Sequence, residues 1–245
     1  MTTVINEKFR CSLCGKQTQY TCISSTNTFG GSPDLDTRPP KMQRQTIFAW
    51  VQRCPKCGYC ASDISTDHPA AQAVISGQEY KDQLNNPAYP ELAASFLCKA
   101  ILDRESKEFA AATWAIIHAA WVCDDSDQTE EAMTCRRKAA DTLQIAEEHN
   151  QRVAKPDAVG TAILVDLLRR SGQFEQARKT IEARRSIIAD DMVAQILDFE
   201  TDLLNRRDIS CHTIAEPLKK IERAKNRGLP IQGKENKKSN KSIRK

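Results

Sequence analysis

The sequence predicts an α+β protein in which a small N-terminal β module is followed by an all-α helical domain. Three features of the 245 residues predict this division. Residues 1–65 combine β-favouring runs with two Cys-x-x-Cys pairs, and residues 66–225 repeat the three- and four-residue apolar spacing of helices. Residues 226–245 have almost no apolar side chains and cannot offset the entropy of ordering, so we expect a disordered basic tail.

Within the β module, two segments have the composition of strands. Residues 17–23 and 45–52 are rich in β-branched and aromatic side chains, and both are predicted to be extended. The last helix of the helical domain is predicted over residues 213–224, where apolar side chains recur before a glycine.

Two Cys-x-x-Cys-Gly turns, at residues 11–15 and 54–58, predict a metal site in the β module. Such a turn places two sulfurs on one side of a tetrahedral ion. The glycine accepts the left-handed backbone that other residues resist. Four thiolates complete the coordination of Zn²⁺, so we predict one structural zinc ion, with the ligands Cys11, Cys14, Cys54 and Cys57.

Three further side chains are alternative ligands. Cys22 and Cys60 lie near the two turns in the sequence, and His68 follows the module. Each could replace one of the four cysteines, although a buried thiol without a metal is the commoner fate of a lone cysteine.

The connection between the two turns is long and has a distinctive composition. Residues 24–40 show no periodicity and contain two adjacent glycines and three prolines. A connection of this kind is functional or mobile. Asp34, Asp36 and Arg38 are therefore the candidate functional residues of this loop, and its Asp-x-Asp pair is a candidate cation ligand.

One turn in the helical domain has the form of a tetratricopeptide turn. In residues 169–177, Gly172 closes one helix, Phe174 starts the next, and the small Ala177 allows close approach of the two helices. Residues 114–139 resemble this segment less closely. We predict tetratricopeptide-like helical pairs, with an irregular helical domain as the alternative.

Trp114, His118 and Trp121 fall on one helical face, at positions i, i+4 and i+7. They could form a concave binding stripe, but packing in the core is the favoured interpretation.

Three segments together resemble a bacterial family. They are the first Cys-x-x-Cys-Gly turn, the run Ser-Pro-Asp-Leu-Asp-Thr-Arg-Pro at residues 32–39, and the run Trp-Val-Gln-Arg-Cys-Pro-Lys-Cys-Gly-Tyr at residues 50–59. The chain is similar, over roughly residues 7–225, to the bacterial proteins grouped as domain of unknown function 2225. The resemblance implies a zinc ribbon followed by tetratricopeptide-like helices, and it implies no established activity. The ribbon ligands it implies are Cys11, Cys14, Cys54 and Cys57.

The charge of the chain is concentrated at its end. The net charge is +4, whereas residues 225–245, with eight Lys/Arg and one Glu, carry +7, which leaves −3 for the rest. No apolar run could cross a bilayer, and residues 1–10 have no hydrophobic signal core. We therefore expect a cytoplasmic protein with no membrane partner.

These features predict a cytosolic zinc-binding adaptor whose helical repeats bind a protein or peptide partner. No phosphate-binding loop, dinucleotide-binding glycine pattern or catalytic metal motif occurs in the sequence, so we predict that the protein is not an enzyme. One alternative is nucleic-acid binding through the zinc ribbon and the basic tail. Another is a thiol-based redox sensor that uses the remaining cysteines, which are Cys22, Cys60, Cys98, Cys123, Cys135 and Cys211.

Overall fold

The computed structural model describes residues 2–68 and 70–218, and its first part consists of two antiparallel β hairpins. Strand β1 (Thr3–Arg10) pairs with β2 (Gln17–Ser25) along its whole length. Strand β3 (Gln52–Arg53) pairs with β4 (Cys60–Ala61). Each hairpin carries one Cys-x-x-Cys turn at its connection, and helices follow. The predicted α+β class is therefore confirmed.

One predicted strand is wrong. Residues 45–52 contain a 3₁₀ turn at Ile47–Ala49 and become extended only at Gln52. Backbone hydrogen bonds in this region are local: the N–H of Ala49 donates to the carbonyl of Thr46 at 3.0 Å. Most of the β-favouring side chains of this segment pack into the core although their backbone forms tight turns. Tertiary packing therefore outweighs the β propensity of these residues.

The helices make up most of the described chain. They are α1 (Lys41–Arg44), α2 (Ala71–Ser76), α3 (Gln78–Leu84), α4 (Glu91–Glu105), α5 (Phe109–Asp125), α6 (Thr129–Glu148), α7 (Asp157–Arg170), α8 (Phe174–Arg184) and α9 (Asp191–Asn205). Residues 215–218 are also helical. The helix predicted over residues 213–224 lies partly outside the described residues. The basic tail predicted at residues 226–245 lies wholly outside them.

Three helix pairs are joined by the same tight turn. Lys107, Asp127 and Gly172 have positive φ angles of 61°, 56° and 80°. In each turn, the next N–H reaches back to a carbonyl in the last turn of the preceding helix. These bonds are Glu108 to Asp103 at 2.8 Å, Gln128 to Cys123 at 2.9 Å, and Gln173 to Leu168 at 2.8 Å. Glycine marks only one of the three turns, so the sequence indicated that turn most clearly.

A small residue follows each turn at the same distance. Ala112, Ala132 and Ala177 are the fourth residues of α5, α6 and α8, and all three are buried. Helix α5 packs between α4 and α6, and α7 packs against α6, α8 and α9. The helix–turn–helix predicted at residues 169–177 is present, and the assignment to the tetratricopeptide repeat stays a prediction.

The aromatic stripe of α5 packs against the β module. The ring of His118 lies 4.9 Å from that of Trp50, 5.2 Å from that of Phe96 and 5.0 Å from that of Trp121, measured between centroids. Burial lowers the pKa of His118 to about 3. The ring is therefore neutral near pH 7, and the contacts agree with the core-packing interpretation.

A buried ion cluster ties α7 to α9. The fully buried guanidinium of Arg169 donates to Glu200 at 2.6 Å, to Asp166 at 2.6 Å, and to the carbonyls of Asp208 and Ser210. Burial, with Asp166 adding to it, raises the pKa of Glu200 to about 8 against the opposing effect of Arg169. Two carboxyl groups thus face one guanidinium, and a proton on Glu200 relieves their repulsion.

The pKa of Glu200 predicts that stability falls as pH rises. Glu200 binds its proton up to about pH 8 in the folded chain, whereas it titrates near 4.5 when unperturbed. Its stabilising contribution is complete below pH 4.5 and is lost as the pH rises to about 8. The free energy of unfolding should then fall by about 1 kcal/mol per pH unit across this window.

The substitution Glu200→Gln keeps the shape of the side chain and removes this titration. Urea unfolding between the two pKa values should show a flatter pH dependence for Glu200→Gln than for the wild type. Glu175→Gln, on the exposed face of α8, is the control and should keep the wild-type slope. Equal slopes for all three proteins would contradict the assignment.

Candidate metal centre

The first Cys-x-x-Cys turn closes the β1–β2 hairpin. The N–H of Cys11 donates to the carbonyl of Lys16 at 2.9 Å, and the N–H of Gly15 donates to the carbonyl of Cys11 at 2.9 Å. Gly15 has a φ of 69°, in the left-handed region. These bonds direct Cys11 and Cys14 toward the second hairpin.

The second turn repeats this geometry on the β3–β4 hairpin. The N–H of Cys54 donates to the carbonyl of Tyr59 at 2.8 Å, and Gly58 has a φ of 76°. A Cβ atom at Gly58 would lie 2.5 Å from Cδ2 of Leu84 in α3. The positive φ therefore favours glycine here, and any larger residue would also displace the end of the Leu84 side chain.

The four predicted ligands converge. The Sγ atoms of Cys11, Cys14, Cys54 and Cys57 all lie within 4.8 Å of one another. Two cross-turn distances are 3.7 Å, between Cys11 and Cys57, and 3.6 Å, between Cys14 and Cys54. A tetrahedral ion with Zn–S bonds of about 2.3 Å separates its sulfurs by about 3.8 Å. The group therefore fits one tetrahedral metal ion, and its four sulfurs would complete the coordination.

The thiols of the group differ in acidity. Burial raises the pKa of Cys11. At Cys14 the effect of burial is outweighed by the N–H of Lys16 and by the neighbouring thiols, which lower the pKa to about 7. Because a metal binds thiolates and displaces their protons, its affinity for this group falls in acid.

The three alternative ligands lie elsewhere. The buried thiol of Cys60 donates to the carbonyl of Gly58 at 3.3 Å. Cys22 lies on β2, and His68 is hydrogen-bonded through Nε2 to the hydroxyl of Ser106 at 2.9 Å. Within residues 2–68 and 70–218, the one group able to hold a metal consists of the four cysteines of the turns.

The loop residue Asp36 is completely buried against the helical domain. Its carboxylate accepts hydrogen bonds from the indole N–H of Trp121 at 2.7 Å and from Arg170 at 3.3 Å. It also accepts the N–H of Arg38 at 3.1 Å. All these donors belong to the protein, so the structure gives Asp36 a role in joining the loop to α5 and α7.

Arg38 and Asp34 extend this attachment. Arg38 is buried, donates to Asp125 at 2.5 Å, and lies 5.9 Å from the ring centroid of Trp121. Asp34 is buried and accepts from Arg44 at 3.0 Å. The three candidate loop residues are therefore close together, but they face the protein interior. A functional role for the loop stays a prediction.

Backbone hydrogen bonds fasten the same loop to the segment after α9. The N–H of Leu35 donates to the carbonyl of His212 at 2.9 Å, and the N–H of Ile214 donates to the carbonyl of Pro33 at 2.9 Å. The loop between the two metal turns thus contacts α5, α7 and the segment that follows α9.

The sequence did not reveal the helical partners of this loop. Arg170 forms ion pairs with both Asp36 and Asp124, and its distance to Asp124 is 2.9 Å. Arg136 also pairs with Asp124. The available signal was Arg170 itself, a charged residue at the end of an apolar helix.

Two further thiol pairs lie in the interior. Cys60 interacts with Cys98 of α4, and Cys123 of α5 interacts with Cys135 of α6; all four are buried. Their burial separates them from oxidants in solution. The redox-sensor hypothesis stays a prediction.

Comparisons with family models, with curated proteins and with solved structures find no match for this chain. The resemblance to the bacterial domain of unknown function 2225 therefore stays a prediction. None of the helices among the described residues has the length and apolar character that crossing a bilayer requires.

Substituting the cysteines singly should separate ligands from bystanders. Cys11→Ser, Cys14→Ser, Cys54→Ser and Cys57→Ser should each reduce bound zinc, because three thiolates leave the tetrahedron open. Cys22→Ser and Cys60→Ser should keep one zinc ion per chain. Elemental analysis of the purified variants measures this directly. Zinc loss in either control would add that residue to the ligand set.

Removing the charge of Asp36 should loosen the loop. Asp36→Asn removes one of the carboxylates that pair with the buried guanidinium of Arg170. The free energy of unfolding should therefore fall by about 2–3 kcal/mol. Asp141→Asn is the control, because Asp141 is exposed on α6. Its substitution should cost less than about 1 kcal/mol. Equal losses in the two variants, measured by urea unfolding, would contradict this role of Asp36.

Proposed function

We propose that this protein is a cytoplasmic zinc-binding adaptor whose helical domain binds a protein or peptide partner. Zinc is the proposed metal because four thiolates in a tetrahedron suit it and leave no position for a substrate. The metal would then be structural: it would hold two short hairpins together, and the loop between them is attached to the helices through Asp36. The helical domain is thereby available as a rigid binding scaffold.

The observation that carries this proposal is a cleft bordered by α6, α7 and α8. It has a volume of about 560 Å³, within the usual range for binding sites of about 300–1,000 Å³. Leu143, Val153 and Ala158 supply apolar surface, and Ile187 at the rim is 78% exposed. Polar residues such as Glu147 and Arg184 line the rest of the cleft. Binding sites commonly combine apolar surface with a few polar groups in this way.

Gly160 keeps this cleft open. It lies within α7, where glycine is less favourable than alanine by about 1 kcal/mol. A Cβ atom at this position would meet no atom within 4 Å. Neither backbone strain nor a close neighbour therefore requires glycine here, and its absent side chain leaves room for an occupant.

The charges of the cleft favour an uncharged occupant. Arg184 binds Glu147 through two hydrogen bonds of 2.7 Å, and Arg152 lies 3.2 Å from Asp157. Each charge thus has an opposite partner within the protein. We infer that the cleft receives an aliphatic or aromatic side chain of a partner segment, with the two ion pairs at the rim.

Peptide selection can test this inference although the partner is unidentified. Peptides selected from a displayed random library against the full-length zinc-loaded protein should share an aliphatic or aromatic anchor. Gly160→Leu fills the cleft and should weaken their binding about tenfold or more, the usual loss when an anchor pocket is blocked. Gly160→Ala should raise the free energy of unfolding by about 0.5–1 kcal/mol, which shows that position 160 tolerates a side chain.

Ile187→Lys tests whether the peptides bind at this cleft, and Ile145→Lys is its matched control. Ile145 is also exposed, but it borders a different cleft, between α4 and α6. Ile187→Lys should weaken peptide binding, whereas Ile145→Lys should leave it unchanged. Selected peptides that bind Gly160→Leu as tightly as the wild type would overturn the proposed site.

A further inference from the structure

The β1–β2 hairpin is a two-stranded ribbon with one face turned to solvent. The register places Asn6 opposite Thr21, Lys8 opposite Gln19, and Arg10 opposite Gln17. Because side chains alternate along a strand, these three pairs share one face. All six residues are exposed.

The other face of the ribbon is attached to the protein. Phe9 packs edge-on against Tyr20, with 6.0 Å between the ring centroids. The hydroxyl of Tyr20 donates to the carbonyl of Arg53 in β3 at 2.9 Å. The ribbon is thus held on its inner face, and its outer face is free to bind a partner.

The three pairs nearest the turn carry only cations, amides and a hydroxyl on this outer face, and the next pair on the same face, Val4 and Ile23, is apolar, with Val4 51% exposed. The one acidic residue of the hairpin, Glu7, alternates to the opposite side, where it is also exposed. Lys8 and Arg10 form no ion pair within the described part of the chain. Thr21 donates to the side-chain oxygen of Asn6 at 3.0 Å, which leaves the amide nitrogen of Asn6 available to a ligand.

We propose that this outer face binds in the major groove of duplex DNA. The groove is about 12 Å wide and admits a two-stranded ribbon, whose strands lie about 4.8 Å apart. Lysine and arginine side chains pair with guanine edges, and asparagine and glutamine side chains pair with adenine edges. The six side chains of the face therefore match both the charge and the hydrogen-bonding groups of the groove.

Duplex DNA is favoured over RNA by shape. The major groove of an RNA duplex is deep and narrow, and side chains do not reach its base edges. The sequence also places a charge of +7 in residues 225–245, which can add phosphate contacts to those of the ribbon. This binding is independent of the cleft proposed for a protein partner.

The test is fluorescence anisotropy with a short labelled DNA duplex and the full-length, zinc-loaded protein over a range of salt concentrations. Lys8→Ala should weaken binding about fivefold near 0.15 M salt, and it should reduce the slope of log affinity against log salt by about one. Lys81→Ala, which removes an exposed cation from α3, is the matched control and should change neither value. Both variants should keep the wild-type thermal midpoint, because both side chains face solvent.

Three results would overturn the proposal. The first is that the wild-type protein does not bind the duplex. The second is equal affinity in Lys8→Ala and Lys81→Ala, which would assign the binding to the basic end of the chain. The third is an equal loss for Lys8→Ala on RNA duplex or single-stranded DNA, which would show that the face responds to charge and not to the groove.

Discussion

The convergence of four sulfur atoms is the constraint on which the N-terminal module depends. Two-stranded hairpins are marginal by themselves in water, and β3 and β4 contain only two residues each. The thiol groups of Cys11 and Cys14 meet those of Cys54 and Cys57 at distances suited to a tetrahedral ion. The separation of the two hairpins follows from this meeting, and so do the positions of the two ends of the loop that joins them.

The loop between the two turns carries the constraint into the helical domain. Its buried carboxylate, Asp36, contacts Trp121 of α5 and Arg170 of α7. Burying a charge is costly unless it is paired and hydrogen-bonded. Burial raises the pKa of Asp36, and Arg170 and Trp121 offset this effect only in part. The β module and the helices are consequently joined by polar contacts as well as by the aromatic cluster around His118. The cleft on the helical side and the ribbon face on the β side are the two separate surfaces that we propose to bind partners.

Local rules predicted those parts of the structure in which neighbouring residues decide the backbone. Gly15 and Gly58 have the left-handed conformation that the turn requires, and residues 17–23 form a strand. The same rules were wrong at residues 45–52, because burial of Ile47 and the tight turns around it outweigh β propensity. They also indicated Gly172 more clearly than Lys107 or Asp127, which adopt the same turn without glycine.

The sequence by itself determined the four cysteines that converge, the α+β order of the chain and the helical turn at Gly172, because spacing and residue type specify short-range geometry. Only the tertiary structure showed that Asp34, Asp36 and Arg38 face inward, since Asp36 and Arg38 find their helical partners on α5 and α7, at least 85 residues away in the sequence. The tertiary structure also revealed the open space beside Gly160 and the exposed outer face of the β1–β2 ribbon. Both depend on which surfaces the rest of the chain leaves uncovered, and no local pattern contains that information.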